Sequence, residues 1–517
     1  MSFRATLSAL IAMLLFSLVP ARAYAQTPPS SGFDVHEATI ADLQAALAAR
    51  RVTSVQLVDA YLARIRAYDP ALASIIRLND AARSEAGRLD AERTGGRVRG
   101  PLHGIPILLK DNFDTRDMPT TAASIALAGS VPPDDATITR RLREAGAIIL
   151  GKTNLHELAS GITTISSLGG QTRNPYDTTR NPGGSSGGTG AAIAASFAAI
   201  GYGTDTCGSI RIPSAFNALF GLRPTKGLAS IDGVIPLSHT QDVAGPLART
   251  VADLAIGLDV IVGVDPADPA TKILEGRPTP RFADALRTDA LRGARIGVLT
   301  SYFGDAPEDR EVGDIVRQSL ERMKQQGAEI VDVEIPRLDS LLSGSSVIDH
   351  EFKFDLIDYL ANTPNAPIDS IGDILARGLH HTALETSLRR RNGAAARETE
   401  AYERARGRRA AARDSVIRFL DRERIDALAY PTMRRKPALI GETQGGGTCQ
   451  LSASTGTPAL AMPAGFTRDG LPIGIELLGR PLDDVKLVAY AFAYEQATHP
   501  RRPPALTPPL VAGRAPA

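Results

Sequence analysis

Two loops built of glycine, serine and threonine, joined by a stretch of small residues, limit what this chain can become. Gly183-Gly-Ser-Ser-Gly-Gly188 comes first, residues 189–199 follow, and Gly203-Thr-Asp-Thr-Cys-Gly-Ser-Ile-Arg-Ile-Pro213 closes the unit. Glycine adopts positive φ and lets backbones approach closely, so such loops predict tight turns pressed against neighbouring chain. The small-residue stretch predicts a helix over 189–199, long enough to return the chain across a sheet layer. Short apolar runs at 105–109, 147–150 and 198–202 read as buried strands. Strands alternating with helices from about 100 to 234 predict an α/β sheet.

The flanking regions read differently. Thr39 is a candidate N-cap for a first helix, and a second helix starts at Thr53 or Ser54 and stops at Asp69-Pro70. A third covers Ala81 to Arg93. Residues 267–425 read as helical, charged and Arg-rich, with 12 Arg against six acids between Arg389 and Arg424. That surface suits an anionic partner, or is a solvated helix with i,i+4 pairs such as Glu400–Arg404, which is the reading adopted. Strand-like runs return at 458–463 and 471–478, and a helix is expected over 485–497.

Composition removes several classes. Lys and Arg number 58 against 57 Asp and Glu, so no net basic face offers itself to nucleic acid. Two cysteines exclude a disulfide-stapled scaffold. Trp is absent and aromatics are 5%, which argues against base- or sugar-stacking platforms. Residues 1–25 have Arg4, an apolar run from Leu7 to Val19, and Ala23-Tyr24-Ala25 before Gln26, the pattern of a secretory signal peptide. The expected location is periplasmic or secreted, with no membrane contact after cleavage. Residues 26–36 read as a linker and 506–517 as a tail.

Three motif matches compete for the chemistry. Gly146 to Thr153 fits a phosphate-loop pattern, but Ala147 to Leu150, between its glycines, are themselves an apolar strand. Gly184-Ser185-Ser186-Gly187-Gly188 fits the G-x-S-x-G elbow with Ser186 as nucleophile. That needs a strand before it and would force Asp484 and His499 into a triad. The third match joins Lys110, at the end of an apolar strand, to the two loops. Burial disfavours a charged amine, and a neutral amine beside serines is a base for a His-free hydrolase. Residues alone leave two readings open: that one, or plain turns with Lys110 paired to Asp111.

Gly183 to Arg211 closely resembles the signature of the amidase signature family, and Ser209 follows Ser185 by the family's 24 positions. Lys110-Asp111-Asn112 resembles its lysine strand, Gly151 to Glu157 its G-K-T-N-x-x-E segment, and Thr457 to Gly465 its C-terminal strand. Glu351 to Leu360 resembles a segment of the peptide amidase branch. The resemblance implies a single large α/β/α domain over 37–505, with a mixed central sheet flanked by helices. Within it, 100–265 would be the catalytic core and 267–425 a variable helical substrate-side region.

The resemblance further implies an amidohydrolase acting on linear carboxamides through a Ser209 acyl-enzyme. Lys110 is the base and Ser185 the bridging serine, on a cis peptide. The N–H groups of Thr206, Cys207, Gly208 and Ser209 form an oxyanion hole, and Ser186, Asp205 and Arg211 support the loops. No metal or cofactor is implied. The expected partner is a small-molecule amide, a peptide amide or a carbamate, with no nucleic acid, and the chain is a monomer or homodimer. The alternative is an amidotransferase A-subunit-like or non-catalytic member. Most members carry Gly where Cys207 stands. Cys207 and Cys449 are expected as two buried thiols, with a bridge beside the site as the alternative.

Overall fold

A computed structural model describes residues 33–510. The expected leader at 1–25 and most of the 26–36 linker lie outside these residues, as does the tail beyond 510. Among the described residues no helix is long and apolar enough to cross a membrane.

One 11-stranded mixed sheet organises the chain. Its strands are β1 (Ile75–Leu78), β2 (Pro106–Lys110), β3 (Ile148–Thr153), β4 (Ile200–Asp205), β5 (Phe220–Arg223), β6 (Val243–Ala248), β7 (Arg295–Leu299), β8 (Glu329–Val333), β9 (Ala427–Pro431), β10 (Ala459–Phe466) and β11 (Pro472–Leu478). The spatial order is β1-β3-β2-β4-β6-β5-β10-β11-β9-β7-β8. β3, β2 and β4 run parallel, β4 to β9 pair antiparallel through the centre, and β9, β7 and β8 are parallel again.

The central strands are buried along their whole length, as a sheet covered by helices on both faces requires. In the β2–β4 pairing Ile107 faces Ile200 and Leu109 faces Tyr202. Parallel neighbours in this register bring Lys110 and Thr204 out at the same, C-terminal end of the two strands.

Several sequence expectations shift. The second helix, Ser54–Leu72, carries Pro70 inside its last turn instead of stopping before it. Asp69 does mark the exit, because its carboxylate accepts from the backbone N–H of Ser74 and Ile75. The small-residue helix runs Gly187–Ala194, earlier and shorter than 189–199. Residues 267–425 are not simply helical, since they supply β7 and β8, which extend one sheet edge. β8 is half-exposed and charged, with a burial pattern unlike the central strands, so its period was hidden by the acids around it.

The outer boundaries move too. Val35 is buried in the main core although it was assigned to the linker. Thr507 and Pro508, assigned to the tail, are held through their carbonyls by the Arg64 guanidinium, at 2.8 and 2.9 Å. Glu37 pairs with Arg501 at 2.7 Å, closing the two ends of the described chain on each other.

Candidate active site

Lys110 ends β2 and is fully buried. Its Nζ lies 2.7 Å from Ser185 Oγ, 2.7 Å from Thr204 Oγ1 and 3.4 Å from the Thr204 carbonyl. Burial is the largest influence on this amine and lowers it from its ordinary 10.5 to about 7, while Asp242 and Asp205 pull the other way. The pairing of Lys110 with Asp111 does not occur. Asp111 instead meets Lys152, 3.0 Å away and equally buried. That contact also disposes of the phosphate-loop match: its lysine is spent on an internal carboxylate, and Gly146 sits at φ +81° between a helix and β3.

Ser185 is carried by the 183–188 loop, and the Gly184–Ser185 peptide is cis. The loop lies so close to its neighbours that a Cβ on Gly188 would sit 2.2 Å from the Asn154 carbonyl oxygen. Ser186 joins the two loops: its Oγ donates to the Thr204 carbonyl at 3.2 Å and its N–H to the Ser209 carbonyl at 3.1 Å. The elbow reading fails on geometry. Ser186 precedes the Gly187–Ala194 helix without a strand leading into it. Asp484 and His499 stand at opposite ends of the Asp484–Thr498 helix, about 22 Å apart at 1.5 Å per residue. They cannot share one triad.

β4 runs into the second loop through Asp205, which is fully buried. Its carboxylate accepts from Gly208 N–H at 2.7 Å, Ile210 N–H at 3.1 Å, Arg211 Nε at 3.0 Å and Arg223 Nη1 at 3.0 Å. Burial alone would raise this carboxyl, but the Arg211 and Arg223 guanidiniums outweigh it and hold it well below the usual carboxylate range. Arg211 also donates to Glu476 on β11 at 2.6 Å. Two arginines and two carboxylates thus make a buried, charge-balanced cluster under the loop.

The loop corrects the expected oxyanion set. Gly208 N–H is committed to Asp205, whereas the N–H groups of Thr206, Cys207 and Ser209 make no hydrogen bond among the described residues. Ser209 is 4% exposed, and its Oγ makes no hydrogen bond among the described residues. Of the two contacts that the expected relay needs, Lys110 to Ser185 is made and Ser185 to Ser209 is open.

The cysteine expectation is corrected as well. Cys207 and Cys449 form a disulfide, with Cα atoms 5.3 Å apart. The bridge ties the second loop to the short Gln450–Thr455 helix, whose N-cap position is Cys449.

Several site residues escaped the sequence reading. Thr204 and Asn112 share a hydrogen bond of 3.1 Å beside Lys110. Gln241 Nε2 donates to the Thr206 carbonyl at 3.2 Å, and Thr206 Oγ1 donates to Asp242 at 2.5 Å. The 238–242 turn bearing those two residues is braced by Glu351 and Asp355 from the Ile348–Ala361 helix. The resemblance of Glu351 to Leu360 therefore marks a support for the loop. His239, Glu351 and Asp355 bring three ligand-type atoms together. Glu351 already accepts from Ser238, Thr240 and Tyr402, and Asp355 from His239.

The Arg-rich segment resolves into internal pairs and clamps. Glu400–Arg404 pair at 3.3 Å, while Arg409 and Arg413 donate to the carbonyls of Ala453 and Thr455 at 3.0 and 2.7 Å. Those last two hold the Gln450–Thr455 helix in place.

The family model for amidases matches residues 56–488. Among curated proteins the chain is 37% identical to the glutamyl-tRNA(Gln) amidotransferase A-subunit of Chloroflexus aurantiacus, over 91% of this chain and 99% of that one. Among solved structures it is 40% identical to the native peptide amidase of Stenotrophomonas maltophilia, covering 91% of this chain and 99% of that one, with a TM-score of 0.85. A bacterial aryl acylamidase of the amidase signature family follows at 25% identity and a TM-score of 0.80, covering 92% and 99%.

Proposed function

This chain belongs to the amidase family, and on that premise we propose that it is an exported hydrolase of linear carboxamides working through an acyl-enzyme on Ser209. The observation that carries the reading is the 2.7 Å contact between Ser185 and an amine that burial holds near neutrality. A neutral Lys110 has two N–H bonds and one lone pair. Its donors go to the oxygens of Thr204, and the lone pair takes the Ser185 hydroxyl proton.

Ser185 then accepts the proton of Ser209 as Ser209 Oγ attacks the amide carbonyl, closing the open leg of the relay when substrate arrives. The developing oxyanion is met by the N–H groups of Thr206, Cys207 and Ser209. Lys110, now protonated, returns its proton through Ser185 to the leaving nitrogen. Water, deprotonated by the same path, releases the acid and restores Ser209.

The likeness to a peptide amidase supports a primary carboxamide at a peptide C-terminus as substrate, ahead of other small amides and carbamates. The leader-like residues 1–25 and a disulfide, which an oxidising compartment favours, support export. A second reading is favoured by the amidotransferase relatives: ammonia delivered from glutamine to a protein partner. Turnover of free glutamine with no peptide amide hydrolysis would select it. The direct test is Ser209→Ala, with turnover followed on a panel of primary amides, peptide amides, anilides and carbamates. Turnover should vanish while the circular dichroism spectrum stays unchanged. Retained activity, or a fluorophosphonate label elsewhere than Ser209, would reject the assignment.

A further inference from the structure

The backbone of the 205–212 loop is pinned almost residue by residue. The Thr206 carbonyl accepts from Gln241 at 3.2 Å, and the Gly208 and Ile210 N–H groups go to Asp205 at 2.7 and 3.1 Å. The Gly208 carbonyl accepts from Ile212 N–H at 2.7 Å, and the Ser209 carbonyl from Ser186 N–H at 3.1 Å. Cys207 differs. Neither its N–H nor its carbonyl makes a hydrogen bond among the described residues, and its one anchor is the bond from its Sγ to Cys449.

The other end of that bond is rigidly held. The Cys449 carbonyl accepts from Ala453 N–H at 3.2 Å and from Arg211 Nη2 at 3.3 Å. Arg409 and Arg413 clamp the following helix. The bridge lies close against the loop: a Cβ on Gly208, which sits at φ +88°, would lie 2.9 Å from Cys449 Cβ. Both cysteines are only partly buried.

We propose that the Cys207–Cys449 disulfide is a positioning device for the transition state: Cys449, acting through the bridge, fixes the Cys207 N–H as an oxyanion donor. This rests on the amidohydrolase reading given above. Hydrogen bonds fix the rest of the loop, so cutting the bridge frees one donor without unfolding the site. Cutting is stoichiometric. One thiolate of a dithiol attacks a bridge sulfur to give a mixed disulfide, and its second thiolate displaces the protein sulfur and closes a cyclic disulfide. Two protein thiols are left, and the dithiol has lost two hydrogens.

The experiment compares oxidised protein, protein reduced with dithiothreitol and Cys449→Ser, after a thiol count under denaturing conditions. Deleting a single oxyanion donor costs on the order of 10²–10³ in kcat. A donor that is loosened but not deleted should cost about 10- to 100-fold. The expected result is that kcat falls by that factor in the reduced protein and in Cys449→Ser, with KM within about twofold. Affinity for a trifluoromethyl ketone analogue should fall in parallel with kcat, while affinity for the product acid holds. Reoxidation should restore the native protein and leave Cys449→Ser unchanged.

The proposal is overturned if fully reduced protein, with two thiols counted, keeps its kcat. It is also overturned if kcat, KM and near-ultraviolet dichroism all deteriorate together, because the bridge would then only hold the fold. Oxidised native protein that neither turns over amides nor labels at Ser209 would sink the hydrolase reading first, and this one with it.

Discussion

Replacing Lys110 with Met separates the amine's cost to the fold from its service to the reaction. Burial moves the amine from 10.5 to about 7, and one pKa unit corresponds to about 1.4 kcal/mol. Keeping this group charged in the folded state therefore costs about 5 kcal/mol, which Met does not incur. The sign follows from proton counting. The unfolded chain holds the Lys110 proton up to pH 10.5, whereas the folded chain releases it near 7, so above pH 7 the unfolded state binds more protons. Native stability from this group rises with pH between about 7 and 10.5 and is lowest, and flat, below 7.

From pH 6 to pH 9 the native protein should gain about 3 kcal/mol on the variant. A chain of this length unfolds with an entropy on the order of 1 kcal/mol per degree. The gap in Tm should therefore narrow by about 3 °C, read by scanning fluorimetry of both proteins across that range. kcat/KM of the native enzyme should rise about tenfold per pH unit below 7 and level off above it. Parallel Tm curves for the two proteins, or a flat rate profile from about pH 5 to 9, would refute a buried amine that titrates near neutrality.

Two further substitutions probe the surroundings. Thr204→Val removes an oxygen 2.7 Å from Lys110 Nζ, leaving the charged amine one acceptor short. The rate profile should shift to lower pH, with kcat down about tenfold, and a profile that does not move would show that Thr204 does not touch the titrating group. Asp205→Asn leaves two buried guanidiniums facing a neutral side chain. It should destabilise the protein by about 3–5 kcal/mol, checked by thermal unfolding, and a loss under about 1 kcal/mol would show that the cluster does not hold the loop.

How much of this could be read in advance depended on how locally each residue's role is written. Ser185, Ser209 and Lys110 lie in short motifs whose glycines and small neighbours announce the backbone they need. Thr204 shares a motif with them but is an unremarkable strand residue until β2 and β4 lie side by side. Asp242, Arg223 and Glu476 come from three separate elements, and only the sheet order brings them under one loop. The Gly208 N–H looked free because nothing in the sequence says that Asp205 turns back to accept it. β7 and β8 were missed because an edge strand with one wet face carries a weak apolar signal among charged helices. Pro70 misled because a proline in a last turn removes one i→i−4 hydrogen bond without ending the helix at once. The Arg-rich stretch offered charge without position, and position turned Arg409 and Arg413 inward to carbonyls while most of the others pair with carboxylates at the surface.

Arg64 sets an order on events. Its guanidinium is 1% exposed and donates to four carbonyls, those of Ala195, Ser196, Thr507 and Pro508. Until residue 508 has left the ribosome, half of that coordination has no source, and a cation in the second helix must wait hydrated. A polypeptide cut short by about a dozen residues would therefore lack two of the four carbonyls that hold this charge, and water would have to replace them at the opposite end of the chain.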